Sequence, residues 1–184
     1  MAKVKGTAVV ASLRYVNERF GEEALKRILR FLPEGDRQLL EAGVLASSWY
    51  PMTLFLGFMR EAEQQLSAKE PGVIRNMGAA SAEYGIKGVY KIFFKIGSPE
   101  FIIGRAARVF ASYYDTGRIE VVDTAPGRAV LDLVGFEGAP QFCQRILGWM
   151  ERTVQMAGAK NLRSDHPQCV HRGDQACRFA GLWD

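Results

Sequence analysis

The sequence predicts an α+β fold: a helical N-terminal half packed on a small antiparallel sheet, in one domain spanning residues 1–184. Three observations carry that expectation. Apolar residues recur at three- and four-residue intervals up to about Thr116, β-branched and alternating runs follow from Arg118, and no Pro-, Gly- or Ser-rich linker separates the two textures. Residues 1–116 form the mainly helical part, and 117–184 hold the sheet, one further helix and a Cys/His hairpin.

Taken in order, Val9, Leu13, Val16 and Phe20 share one helix face, and Ala24, Ile28 and Leu32 continue the pattern beyond Gly21. The stretch SSWYPMTLFLGFMREAEQQL predicts a helix capped at Ser47 or Ser48 with Pro51 in its first turn. Leu54, Phe58, Ala62 and Leu66 give it a buried stripe. In GSPEFIIGRAARVFASYYDTG, Ser98 suits the N-cap, Pro99 the first helical position, and Glu100 complements the helix dipole. One helix is expected there, with Ile102, Ala106, Val109 and Tyr113 on a common face and Asp115-Thr116-Gly117 as its stop. RIEVVDT and RAVLDLVGF read as strands joined through Ala125-Pro126-Gly127. PQFCQRILGWMERTVQMAG is an amphipathic helix with Phe142, Ile146, Trp149 and Met150 inward. AKNLRSDH and ACRFAGLW close the chain as two strands meeting around Arg172-Gly173-Asp174.

Composition narrows the function classes. Hydrophobic residues are 48% and charged residues 24% of the chain, the proportions of a globular core with a solvated surface. The net charge of +4 is spread along the sequence, which argues against a nucleic-acid groove. No apolar run is long enough to span a bilayer, and Arg14, Glu18 and Arg19 interrupt the first apolar segment, against a signal peptide. An odd count of three cysteines fits a reducing, cytoplasmic location.

The one concentration of reactive side chains is DHPQCVHRGDQACRF, residues 165–179, with both histidines and two of the three cysteines. Written as spacing, the candidates are Cys143-x22-His166-x2-Cys169-x7-Cys177. Three Cys and one His make a standard tetrahedral set for a structural zinc ion, and the expected hairpin would bring them together. His171 competes with His166 for the fourth place. The bland alternative is three small core side chains and two surface histidines, and a Cys169–Cys177 disulfide runs against a reducing compartment.

The tail CVHRGDQACRFAGLW and the junction SYYDTGRIEVVD resemble the V4R (4-vinyl reductase) domain family, of the superfamily that includes TRAPP subunits and haem-nitric-oxide sensors. The order of elements agrees from about residue 90 onward, and the first half is similar to a group of myxobacterial proteins. The resemblance implies a V4R/TRAPP-like fold and a bound structural zinc. In aromatic-responsive members that zinc is held by Cys, Glu, Cys and Cys; Cys143, Cys169 and Cys177 match three of these positions, and His166 stands where the Glu would be. It also marks two departures. No histidine occurs before residue 166, so neither the pocket histidine of phenol sensors nor the proximal histidine of haem sensors is present.

A stand-alone small-molecule sensor, acting through an unknown protein partner or as a homodimer, is the function this implies. A small hydrophobic ligand would be lined by Tyr90, Phe94, Phe110, Tyr114 and Trp149. The alternative is a scaffold similar to TRAPP subunits, with Gly57, Gly78, Ala79, Ala80 and Ala82 on a helical dimer face. A reductase ranks below both, since no Gly-rich dinucleotide fingerprint or carboxylate pair is present. No catalytic residue is assigned.

Overall fold

In the computed structural model, which describes residues 1–87, 98–136 and 138–184, helices form the first half and a four-stranded antiparallel sheet the second. A short strand β1 (Lys3–Lys5) leads into α1 (Gly6–Phe20), α2 (Glu22–Arg30) and α3 (Glu34–Glu41). Strand β2 (Trp49–Pro51) pairs with β1 and precedes α4 (Met52–Leu66) and α5 (Val73–Lys87). After residues 88–97 come α6 (Pro99–Ile103) and α7 (Ala106–Tyr113). The hairpin β3 (Arg118–Ala125) and β4 (Arg128–Val134), helix α8 (Pro140–Met156), and strands β5 (Arg163–Gln168) and β6 (Cys177–Leu182) complete the chain. The sheet order is β3-β4-β6-β5, and both outer strands carry a register shift, β3 between Val121 and Asp123 and β5 between Asp165 and Gln168.

The expected stripe of α4 is fully buried at Leu54, Phe58, Ala62 and Leu66. Its start differs from expectation. Trp49-Tyr50-Pro51 adds to β1, so the helix opens at Met52 with Pro51 as a cap that lacks a side-chain hydrogen bond, rather than at Ser47 or Ser48. Backbone pairing with the N-terminus outcompetes a serine cap here, and it is a long-range contact that local pattern does not encode.

The single helix expected over 99–113 is two. Ser98 does cap α6, its hydroxyl accepting from the Phe101 amide at 3.4 Å. The chain then breaks at Gly104 and Arg105, and the Arg105 guanidinium bonds back to the Phe101 carbonyl at 3.0 Å and lies 3.4 Å from the Phe101 ring centroid. Two short helices replace one continuous stripe, and Ile102, Ile103 and Val109 line a common space.

Helix α8 packs against both α5 and the closing strands β5 and β6. It crosses α5 with backbones almost touching: a Cβ at Gly78 would stand 2.0 Å from the Arg145 carbonyl oxygen, and one at Gly148 would stand 1.9 Å from that of Arg75. Ion pairs flank the crossing, Arg75 with Glu151 on one side and Arg152 with Glu83 at 2.7 Å on the other. Gly78 and Ala82, offered above as a face between copies, are thus used inside the chain. Between α8 and the sheet, Phe142 stacks on Phe136 with ring centroids 4.2 Å apart and meets Tyr114 edge-on at 5.0 Å. Among the described residues no helix is long and apolar enough to cross a membrane.

Candidate functional site

Among the described residues, two places bring candidate functional side chains together. The first is where α8 meets the last hairpin. Cys143 comes from the first turns of α8, Cys169 follows β5, and Cys177 opens β6. A 3-10 turn at Val170–Arg172 and the left-handed Gly173 (φ +94°) reverse the chain between them. Asp174 holds the turn by accepting from the Cys169 amide at 2.7 Å, while Arg172 reaches the His166 carbonyl at 2.7 Å. The three Sγ atoms lie 3.4, 3.8 and 3.9 Å apart, and the ligand atoms of Cys143, His166, Cys169 and Cys177 all fall within 4.8 Å of one another.

His166 stacks on Phe179, centroids 4.7 Å apart and planes 6° from parallel, and its Nε2 is buried without a hydrogen-bond partner. Burial, reinforced by Arg172, lowers its affinity for a proton, so the ring is neutral near pH 7. Burial and the neighbouring thiols push the Cys143 thiol up. His171, by contrast, is exposed on the turn. Of the two histidines that compete on spacing, it is His166 that stands with the cysteines.

The second place is an apolar cavity of about 200 Å³ between α6, α7, α8 and the sheet. Ile102, Ile103, Val109, Leu131, Trp149, Met150 and Val154 supply its walls, and Arg105 and Arg108 belong to its lining. Thr153 lines it as well, 2% exposed and with a hydroxyl that meets no partner. An adjoining space of about 40 Å³ shares Ala106, Val109, Tyr113, Trp149 and Met150 with it and is lined further by Ser81, Phe110, Tyr114 and Arg145.

Of the expected pocket residues, Trp149 lines both spaces and Phe110 and Tyr114 line the smaller one, while Tyr90 and Phe94 lie outside the described residues. Arg145 and Thr153 are absent from that expectation. Both occupy the apolar stripe of α8, Arg145 three residues after Phe142 and four before Trp149, and Thr153 four after Trp149, so a polar residue at a core position of the helix was the available signal.

No protein-family model matches the sequence, and no curated protein matches it. Solved structures do match. An H-NOX protein from S. oneidensis in an Fe(II)NO ligation state is similar at 14% identity, with 98% of this chain and 99% of that one covered and a TM-score of 0.76. The Fe(II) unliganded H-NOX protein from K. algicida matches at 12% identity, 98% and 96% coverage, and a TM-score of 0.71. A structure probing haem distortion in the H-NOX family matches at 10% identity, 98% and 95% coverage, and a TM-score of 0.65.

These matches correct the resemblance to V4R domains and TRAPP subunits. That resemblance rested on a closing cysteine hairpin and one helix-to-strand junction, which are local motifs, whereas the H-NOX path follows 98% of the chain. The structural zinc that it implied is withdrawn with it, because the matching proteins are described by iron and haem. What the likeness fixes at these identities is the architecture, and this chain is built on the H-NOX fold.

Proposed function

We propose that this chain is a non-catalytic sensor module that holds a small organic molecule in the cavity between α6, α7, α8 and the sheet. The cavity itself carries the reading: a concave, partly open apolar space with a few polar side chains is the form small-molecule sites take. At about 200 Å³ it matches the volume of about seven water molecules at ~30 Å³ each. A change in the ligand would be reported by α8, which borders the cavity with Trp149, Met150, Thr153 and Val154 and supplies Cys143 from its first turns.

Haem, which is named for some of the matching H-NOX structures, is not supported by the residues at this cavity. A histidine-ligated haem needs an imidazole at the iron. The chain has two histidines, one against Phe179 among the thiols and one on an exposed turn, and neither lines the cavity. A volume of about 200 Å³ is also below the roughly 300–1,000 Å³ of sites for drug-sized molecules.

Cys143, His166, Cys169 and Cys177 form, in the same proposal, a ligand set for a thiophilic metal ion whose element is left open. The spacing of four convergent donors and the unpartnered Nε2 of His166 favour it over three core cysteines. Native mass spectrometry of gently purified full-length protein tests both parts. The expected spectrum carries an organic adduct of a few hundred daltons or less, and a metal mass that leaves on acidification. A spectrum of bare chain under all gentle conditions overturns the sensor reading, and a metal-free chain with three freely alkylated thiols overturns the ligand set.

A further inference from the structure

Arg145 is among the largest fully buried side chains of the protein, at 2% exposure, and among the described residues no carboxylate lies within ion-pair distance of it. Its Nη1 donates to the Tyr114 hydroxyl at 3.2 Å and its Nη2 to the Ser81 hydroxyl at 2.9 Å, and its guanidinium lies 5.1 Å from the Phe55 ring centroid. The Nε–H meets no acceptor. Tyr114 offers no countercharge, since burial pushes its phenol up and keeps it neutral. A guanidinium cannot shed its proton to escape this position, and an unpaired buried charge is among the most expensive things a core can hold.

The smaller space of about 40 Å³ opens directly beside this group and is continuous in its lining with the larger apolar cavity. We propose that the molecule sensed is an organic carboxylate, with its head on Arg145 in the smaller space and an apolar body of about seven non-hydrogen atoms along Trp149 in the larger. This rests on the sensor reading above and names its ligand class. The carboxylate supplies the missing counter-ion and the acceptor that Nε–H lacks, in the two-pronged geometry a guanidinium favours. The body takes the apolar walls of Ile102, Val109 and Val154 out of contact with water. Neutral ligands leave the charge uncompensated, and simple anions leave the larger cavity unfilled.

The test is calorimetric titration of full-length protein with octanoate, 1-octanol and formate, repeated on Arg145→Met and on Ala106→Phe, which narrows the wall shared by both spaces. Octanoate is expected to bind at least ten-fold more tightly than octanol to the wild-type protein. Arg145→Met should erase that preference, and Ala106→Phe should weaken octanoate and octanol together. Equal affinity for octanoate and octanol overturns the carboxylate while leaving the sensor reading in place. Binding of neither overturns both. Formate matching octanoate overturns it in favour of a simple anion site. Should Arg145→Met fail to fold, the wild-type comparison of octanoate with octanol decides alone.

Discussion

Glu70 gathers three donors from two helices: the Tyr15 hydroxyl, Arg19 at 2.7 Å and Asn76 at 2.8 Å. Burial alone would raise its proton affinity, but these hydrogen bonds overcome that and hold its carboxyl below the usual carboxylate range. A carboxyl depressed in the folded state stabilises it at every pH above the ordinary carboxylate value near 4.3, and that contribution disappears as pH falls through the lower folded value. Glu70→Gln is therefore expected to melt below wild type at pH 7, with the gap closing under acid. Thermal melts of both proteins between pH 7 and pH 3 read this directly, and a gap that widens in acid contradicts it. At the same scale, the thiol cluster was legible because Cys and His are rare here and their spacing stands out. Arg145 was harder to see, because one polar residue within a helix stripe is normally taken as surface until its neighbours are placed.

Among the elements, the crossing of α5 and α8 depends on two residues without side chains. A helical glycine is normally a weakness, and replacing it with alanine gains up to about 1 kcal/mol. Here the sign reverses. With carbonyl oxygens 1.9 and 2.0 Å from the added carbon, Gly148→Ala and Gly78→Ala must drive the helices apart, at a cost of about 3 kcal/mol or more. Gly57→Ala on α4 is the control, since its nearest neighbour is a Leu32 methyl at 3.6 Å, and it should be neutral or slightly stabilising. Urea unfolding of the three variants checks the contrast. Periodicity in sequence located α4 and α8 well, because one-sided burial is written into the spacing of Leu54, Phe58, Phe142 and Ile146. It could not show the break at Gly104 or the β1–β2 pair, which are set by Arg105 turning back on Phe101 and by partners about 45 residues away.

At the scale of the whole molecule, the α+β class and the two closing hairpins followed from alternation and turn residues, but the placing of β6 beside β4 and the H-NOX architecture did not. A hairpin with two cysteines and a glycine turn is a local motif, whereas the likeness to the H-NOX structures runs over 98% of the chain. The H-NOX architecture with no histidine at its cavity leads to a direct expectation. Titration with haemin should give no stoichiometric histidine-ligated spectrum, whereas a saturable one-to-one complex with such a spectrum would return haem to the site. The rims of the sheet carry a separate consequence. β3 shifts register beside the exposed Val121 and Val122, and β5 does so beside Pro167, so neither outer strand offers a straight row of amides and carbonyls. At both rims of the four-stranded sheet the ladder is interrupted, so a neighbouring chain docking there meets side chains rather than an unbroken row of amides and carbonyls.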